Sequence, residues 1–157
     1  MTTPLVSQLM TELNQFLTQD SVDDQEKRWA MQQTTDPQLQ AALKQLSTTD
    51  IKIIAYLGRR GASRAKSLPA PTELSQATIS RGLTKLSRLK LATKYRDLTS
   101  NKEILVRLTT LGEAVADLHT QLDAAIAAKA QAIADDYSDA ELRRFVSLMR
   151  RIREIKI

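Results

Sequence analysis

The sequence predicts a mainly α-helical fold with one small two-stranded β-wing: a winged helix-turn-helix core between N- and C-terminal helices. Three observations carry this. Apolar residues recur at steps of three and four along most of the 157 residues, the pattern of amphipathic helices. The period shortens to two only once, across residues 91–108, as a half-buried hairpin requires. Charge is segregated as well: residues 51–107 hold 13 Lys and Arg against 3 Asp and Glu, a local charge of +10 in a chain of net charge +5. A basic centre between slightly acidic flanks suits a polyanion on one face.

The elements follow in order. Val6, Leu9, Met10, Leu13, Phe16 and Leu17 predict a helix over 4–19. Asp20 to Asp24 interrupts it and caps a second segment, from about Gln25 to Gln33, with Trp29 and Met31 as its large apolar residues. Asp36-Pro37 reads as an N-cap followed by proline at the first helical position. That helix runs through Leu39, Leu43 and Leu46. Ser47 caps the next, with Asp50 three residues on favouring its positive end. Ile51, Ile54, Ala55 and Leu57 form its core face, and Gly58 and Gly61 end it. A short segment, Ser63 to Leu68, comes before Pro69 and Pro71, which stop any helix there.

The helix over Ser75–Leu89 is the centre of the chain. At about 100° per residue, Ile79, Leu83 and Leu86 share one side, and Ala77, Arg81, Thr84, Lys85 and Arg88 share the other. Ser75 caps its start, leaving an amide-rich, partly positive end among Gln76, Thr78 and Ser80. Such an end suits a phosphate or a base edge. Leu91, Thr93 and Tyr95 then alternate with Ala92, Lys94 and Arg96, and Ile104, Val106 and Leu108 with Glu103, Leu105 and Arg107. Asp97 to Asn101 is the turn-rich loop between them, with Lys102 at the polar tip. Thr109 caps a long helical section carrying Leu111, Val115, Leu118, Leu122, Ile126 and Ile133. Ser138 with Glu141 is a capping-box pattern. The last helix puts Leu142, Phe145, Met149, Ile152 and Ile155 on one stripe.

This order has a physical logic. A helix fits the major groove of DNA, where each base pair shows a distinct donor and acceptor pattern. A preceding helix braces it, and a hairpin carries a cation toward the minor groove. Gln76, Thr78, Ser80 and Arg81 are the candidates for base edges, Lys85 and Arg88 for phosphates, and Ser75 at the cap is a further DNA-contact candidate. Lys94, Arg96, Asn101 and Lys102 are the hairpin contacts, and Arg64 and Lys66 those of the brace.

Composition restricts the alternatives. There is no cysteine and the only histidine is His119, so thiolate chemistry and a multi-histidine metal site within one chain are excluded. With no glycine-rich phosphate loop and no clustered carboxylates, an enzyme is not expected, nor is a cofactor. No apolar run approaches the roughly 18 residues of a membrane span, and nothing at the start resembles a signal peptide. A cytoplasmic protein with no membrane partner is expected.

The stretch from Leu46-Ser47 through Leu57, Ser75-Gln-Ala-Thr-Ile-Ser-Arg81, Leu86, Leu91, and Val106-Arg-Leu-Thr109-Thr-Leu-Gly112 resembles the MarR family of bacterial transcriptional regulators. The resemblance is strongest over 46–118 and rests on order and spacing rather than on one motif. It implies a homodimer on a palindromic operator, commonly a repressor, often released by a small molecule. Three positions depart from the family pattern. Wings of the family carry Asp-x-Arg near the tip, where this chain has Ser100-Asn101-Lys102. The family has glycine after the recognition helix, where this chain has Lys90. Pro69-Ala70-Pro71 falls in the bracing helix, which must be short or rebuilt.

The expected organisation is N-terminal dimerisation helices over 1–46, a DNA-binding lobe over 47–109 and C-terminal dimerisation helices over 110–157. The terminal stripes need a partner surface, and a symmetric dimer supplies one. A pocket for an effector is expected between the arms and the lobe, lined by Trp29, Tyr56 or His119. The competing expectation is a winged-helix module for protein interaction or non-specific DNA binding.

Overall fold

Side-chain caps mark where five of the helices begin. The computed structural model describes residues 3–18, 22–99 and 102–156. Asp36 accepts from Gln38 N at 2.9 Å, with Pro37 in the first helical position. Ser47 and Asp50 form a reciprocal capping box, as do Ser138 and Glu141. Ser75 accepts from Thr78 N, and Thr109 from Gly112 N, each at 3.1 Å. Each of these bonds satisfies one of the amides that a helix start leaves without a partner.

The resulting order is α1 (Pro4–Thr18), α2 (Val22–Gln32), α3 (Pro37–Gln45), α4 (Thr48–Arg60), β1 (Ser63–Arg64), a 3₁₀ turn (Ala65–Ser67), α5 (Pro69–Thr72), α6 (Gln76–Arg88), β2 (Ala92–Arg96), β3 (Ile104–Leu108), α7 (Thr110–Ala134) and α8 (Asp139–Arg153). Three expectations change. The β2–β3 wing hairpin does not stand alone: β1 adds to β3, giving an antiparallel sheet in the order β1-β3-β2. Ser63 pairs with Val106 and Arg64 with Leu105. The prolines do not stop a helix either; they sit inside the short α5. Both fall in its first turn, where amides lack intrahelical acceptors and a missing N–H costs little. The helix ends at Glu73, which is left-handed at φ 57°. Gly58 lies within α4, which continues to Arg60 before Gly61 ends it.

One apolar cluster joins the parts. Leu39 and Leu43 of α3, Ile53, Ile54 and Leu57 of α4, Ile79, Leu83 and Leu86 of α6, Val106 of β3 and Val115 of α7 are all buried in it. Each fully buried aliphatic side chain of this size is worth about 1.5–3 kcal/mol relative to exposure. Glycines let the helices close up. A Cβ on Gly82 would lie 2.7 Å from Ile53 Cδ1, and one on Gly58 would lie 2.8 Å from Ala116 Cβ. The terminal helices are different: α8 has no buried residue, Phe16 of α1 and Phe145 of α8 are 78% and 55% exposed, and α8 ends at Arg153, short of Ile155 at the end of the expected stripe.

Candidate nucleic-acid interface

The α6 helix separates two chemistries. Ile79, Gly82, Leu83 and Leu86 face the core. Gln76, Ala77, Ser80, Arg81, Thr84 and Arg88 are exposed. Arg81 and Arg88 have no ion-pair partner among the described residues, so both are available to an external anion. Ser75 and Thr78 are spent differently. The Ser75 hydroxyl accepts the Thr78 amide and donates to Thr78 Oγ1 at 2.9 Å, so these two shape the helix start.

Lys85 departs from expectation. Its Nζ donates to Asp50 Oδ2 at 2.6 Å, and Asp50 is buried. The ammonium is thus engaged by a buried carboxylate within the chain, a partner that a helical wheel cannot show. Lys94 of β2 stays exposed and reaches α6, donating to Thr84 Oγ1 at 3.4 Å.

The brace and the wing are tied by charge. Arg64 Nε and Lys66 Nζ both lie 2.8 Å from Glu103, one from each carboxylate oxygen. The hydrogen bond from Lys66, aided by the Arg64 charge, holds the Glu103 carboxyl below its ordinary range. Arg64 sits in β1 and Lys66 in the 3₁₀ turn, not on a bracing helix, and both have an internal partner. Asp97, at the end of β2, accepts from Thr99 N at 3.0 Å and Thr99 Oγ1 at 2.8 Å. Those bonds lower its pKa, the backbone one most, and shape the wing loop. Arg107 lies over the Tyr95 ring at 5.3 Å, a cation–π contact across the strands. Lys102 is exposed beside the tip and Arg96 is exposed on β2. Asn101 lies outside the described residues, as does Ser100.

None of the three acids within the basic segment is idle. Glu73 occupies a left-handed cap, Asp97 makes a turn, and Glu103 clamps two cations. Their rarity in that segment was the signal that could have pointed to the Glu103 clamp. Lys90, just after α6, is left-handed at φ 60°, a backbone conformation that favours glycine.

Behind the lobe a cavity of about 360 Å³ lies between α2, α4, α7 and the end of α5. Leu43, Leu46, Val115 and Leu118 line its apolar part. Tyr56 and His119 line it too, with Lys52 and Arg59 as cations. His119 Nε2 lies 3.3 Å from Asp123 Oδ2. Trp29 does not line it: the indole is half-buried against the core cluster.

No family model and no curated protein matches the sequence. Solved structures do match. The adhesin competence repressor of Streptococcus pyogenes superposes with a TM-score of 0.65 at 17% identity, over 97% of both chains. A zinc-responsive MarR family member, Lactococcus lactis ZitR, gives 0.60 at 22% identity over 68% of this chain and 76% of its own. The chain has a MarR-like fold. A single-site mutant of ZitR in complex with DNA shares this MarR-like fold at TM-score 0.62 and 20% identity, over 70% of this chain and 75% of its own. At these identities the likeness is one of architecture. It matches the placement of α6 and the β2–β3 hairpin described above.

Proposed function

We propose that the chain is a sequence-specific DNA-binding transcriptional regulator. It acts in the cytoplasm as a homodimer on a palindromic operator, represses, and is released by a small molecule. The observation that carries this is α6: its capped N-terminal half is exposed and presents Gln76, Ser80 and Arg81, with Arg88 further along. Those side chains reach base edges from the N-terminal turns, and Arg88 holds a phosphate. Lys94, Arg96 and Lys102 of the wing give the second point of contact. The ZitR complex with DNA supports this, as a protein of the same fold bound to such a partner.

The dimer follows from the exposed apolar faces of the arms. α1, α7 and α8 carry them, and Phe145, Val146 and Leu148 of α8 stay open in the single chain. Two copies covering these faces would hold two α6 helices about one DNA turn apart. The effector occupies the cavity lined by Tyr56 and His119. A zinc effector is not carried over from the zinc-responsive neighbour. Among the described residues no three His, Cys, Asp or Glu side chains are grouped to hold a metal.

One observation favours a second reading, a winged-helix module without sequence preference. Arg64, Lys66 and Lys85 all have internal carboxylate partners, which leaves fewer cations for phosphate. Selection of genomic fragments at two salt concentrations separates the two. Enrichment of one palindromic sequence that survives at the higher salt supports the regulator. Equal recovery of random and genomic DNA supports the second reading.

A further inference from the structure

Beside the buried Ile79, Leu83 and Leu86, two contacts one turn apart on α6 help to set how it lies on α4. At Gly82 the missing side chain admits Ile53. At Lys85 the ammonium donates to Asp50 Oδ2 at 2.6 Å. The side chains of this pair are 29% and 4% exposed. The same oxygen accepts Ser47 N at 2.8 Å and Ser47 Oγ at 2.9 Å. Asp50 therefore closes the N-terminal turn of α4 and grips the middle of α6 with one carboxylate. A pair this buried gains little net stability, because desolvation offsets attraction. Its better attested use is to fix one arrangement among several.

We propose that Lys85 is a positioning residue and not a phosphate ligand. Its pair with Asp50 sets the rotation of α6 about its own axis, and so decides where Gln76, Ser80 and Arg81 point. This rests on the DNA-binding function proposed above. The geometry gives the size of the effect. Side-chain tips stand about 5–6 Å from a helix axis, so a rotation of about 20° moves each by about 2 Å. Hydrogen bonds to base edges do not survive that displacement. Long cations on phosphates follow it, since they carry no sequence information and are held by charge. Releasing Lys85 thus removes discrimination while leaving non-specific attraction in place.

The experiment uses the full chain and an operator recovered by genomic selection. Affinity for that operator and for a scrambled duplex is measured across a salt series for the wild type, Lys85→Gln, Asp50→Asn, the double variant and Lys85→Arg. Thermal unfolding of each variant confirms that it is folded. Each single variant should lose about tenfold of the operator-to-scrambled ratio, with the scrambled affinity and the salt slope unchanged. The double variant should be no worse than either single one, and Lys85→Arg, which restores a cation for Asp50, should recover most of the ratio. A salt slope that falls by about one for Lys85→Gln would mark a phosphate contact and overturn the proposal. So would an unchanged ratio in folded variants. A wild type without preference for any duplex defeats the DNA-binding function itself, a result distinct from either of these.

Discussion

Replacing Gly112 by alanine sets two physical effects against each other. Gly112 is the third residue of α7, and alanine is the better helix former there by about 1 kcal/mol. Packing opposes this. A Cβ on Gly112 would overlap the Leu91 carbonyl oxygen and lie 3.2 Å from Leu108 Cδ2. The obstructing atom is backbone and cannot rotate away. The start of α7 and the residue after the α6 turn would have to part by on the order of 1 Å to reach an ordinary C···O separation of about 3.3 Å. Three hydrogen bonds cross or close that junction: Thr109 N to Leu91 O at 3.0 Å, Thr109 Oγ1 to Lys90 O at 2.6 Å, and Gly112 N to Thr109 Oγ1 at 3.1 Å. Overpacking costs about 1–3 kcal/mol and each weakened bond up to about 1 kcal/mol. With the propensity gain subtracted, the loss is about 2 kcal/mol. For a chain of this length that lowers the melting temperature by about 4–8 °C. The assay is thermal and urea unfolding at one fixed protein concentration, because a dimer's stability depends on concentration. An unchanged or raised midpoint would refute the packing argument and leave propensity in control.

Further outcomes follow from the same structure. Lys90→Gly should raise stability by about 0.5–1 kcal/mol in urea unfolding, because a left-handed φ of 60° strains a side-chain-bearing residue more than the unfolded-state entropy of glycine costs. Glu103 has a folded pKa below its ordinary 4.5, so its clamp contributes stability that is present above that value and lost as the pH falls through the lowered folded pKa. The stability gap between wild type and Glu103→Gln should therefore be open at neutral pH and close in acid; a gap independent of pH would contradict the clamp. Phe145→Glu should convert the proposed dimer to a monomer by sedimentation analysis while leaving the helical content unchanged, since the side chain is 55% exposed in the single chain and α8 has no buried residue.

Local features were legible in the sequence and distant pairings were not. The caps at Asp36, Ser47, Ser75, Thr109 and Ser138 were readable because each binds amides two or three residues away. The wing strands β2 and β3 were readable from their period of two. Two residues of β1 carry no period, so the third strand was invisible. The Glu103 clamp and the Asp50–Lys85 pair join residues some 35 or more apart in the chain, and a helical wheel has no view of such partners. Asp50 was recognised as a cap, a role that left no sign of its second bond. At Lys90, a lysine where glycine is expected after the helix already points to a left-handed strain, and the φ of 60° bears it out.

The most direct measurement is the binding of Arg81→Ala to an operator recovered by genomic selection, with a scrambled duplex as reference. Arg81 is exposed on the first turns of α6, without an ion-pair partner among the described residues. Its removal should weaken operator binding by about 1–3 kcal/mol and relax the sequence preference at one position of each half-site. Unchanged operator affinity and unchanged preference would show that α6 is not the element that reads DNA.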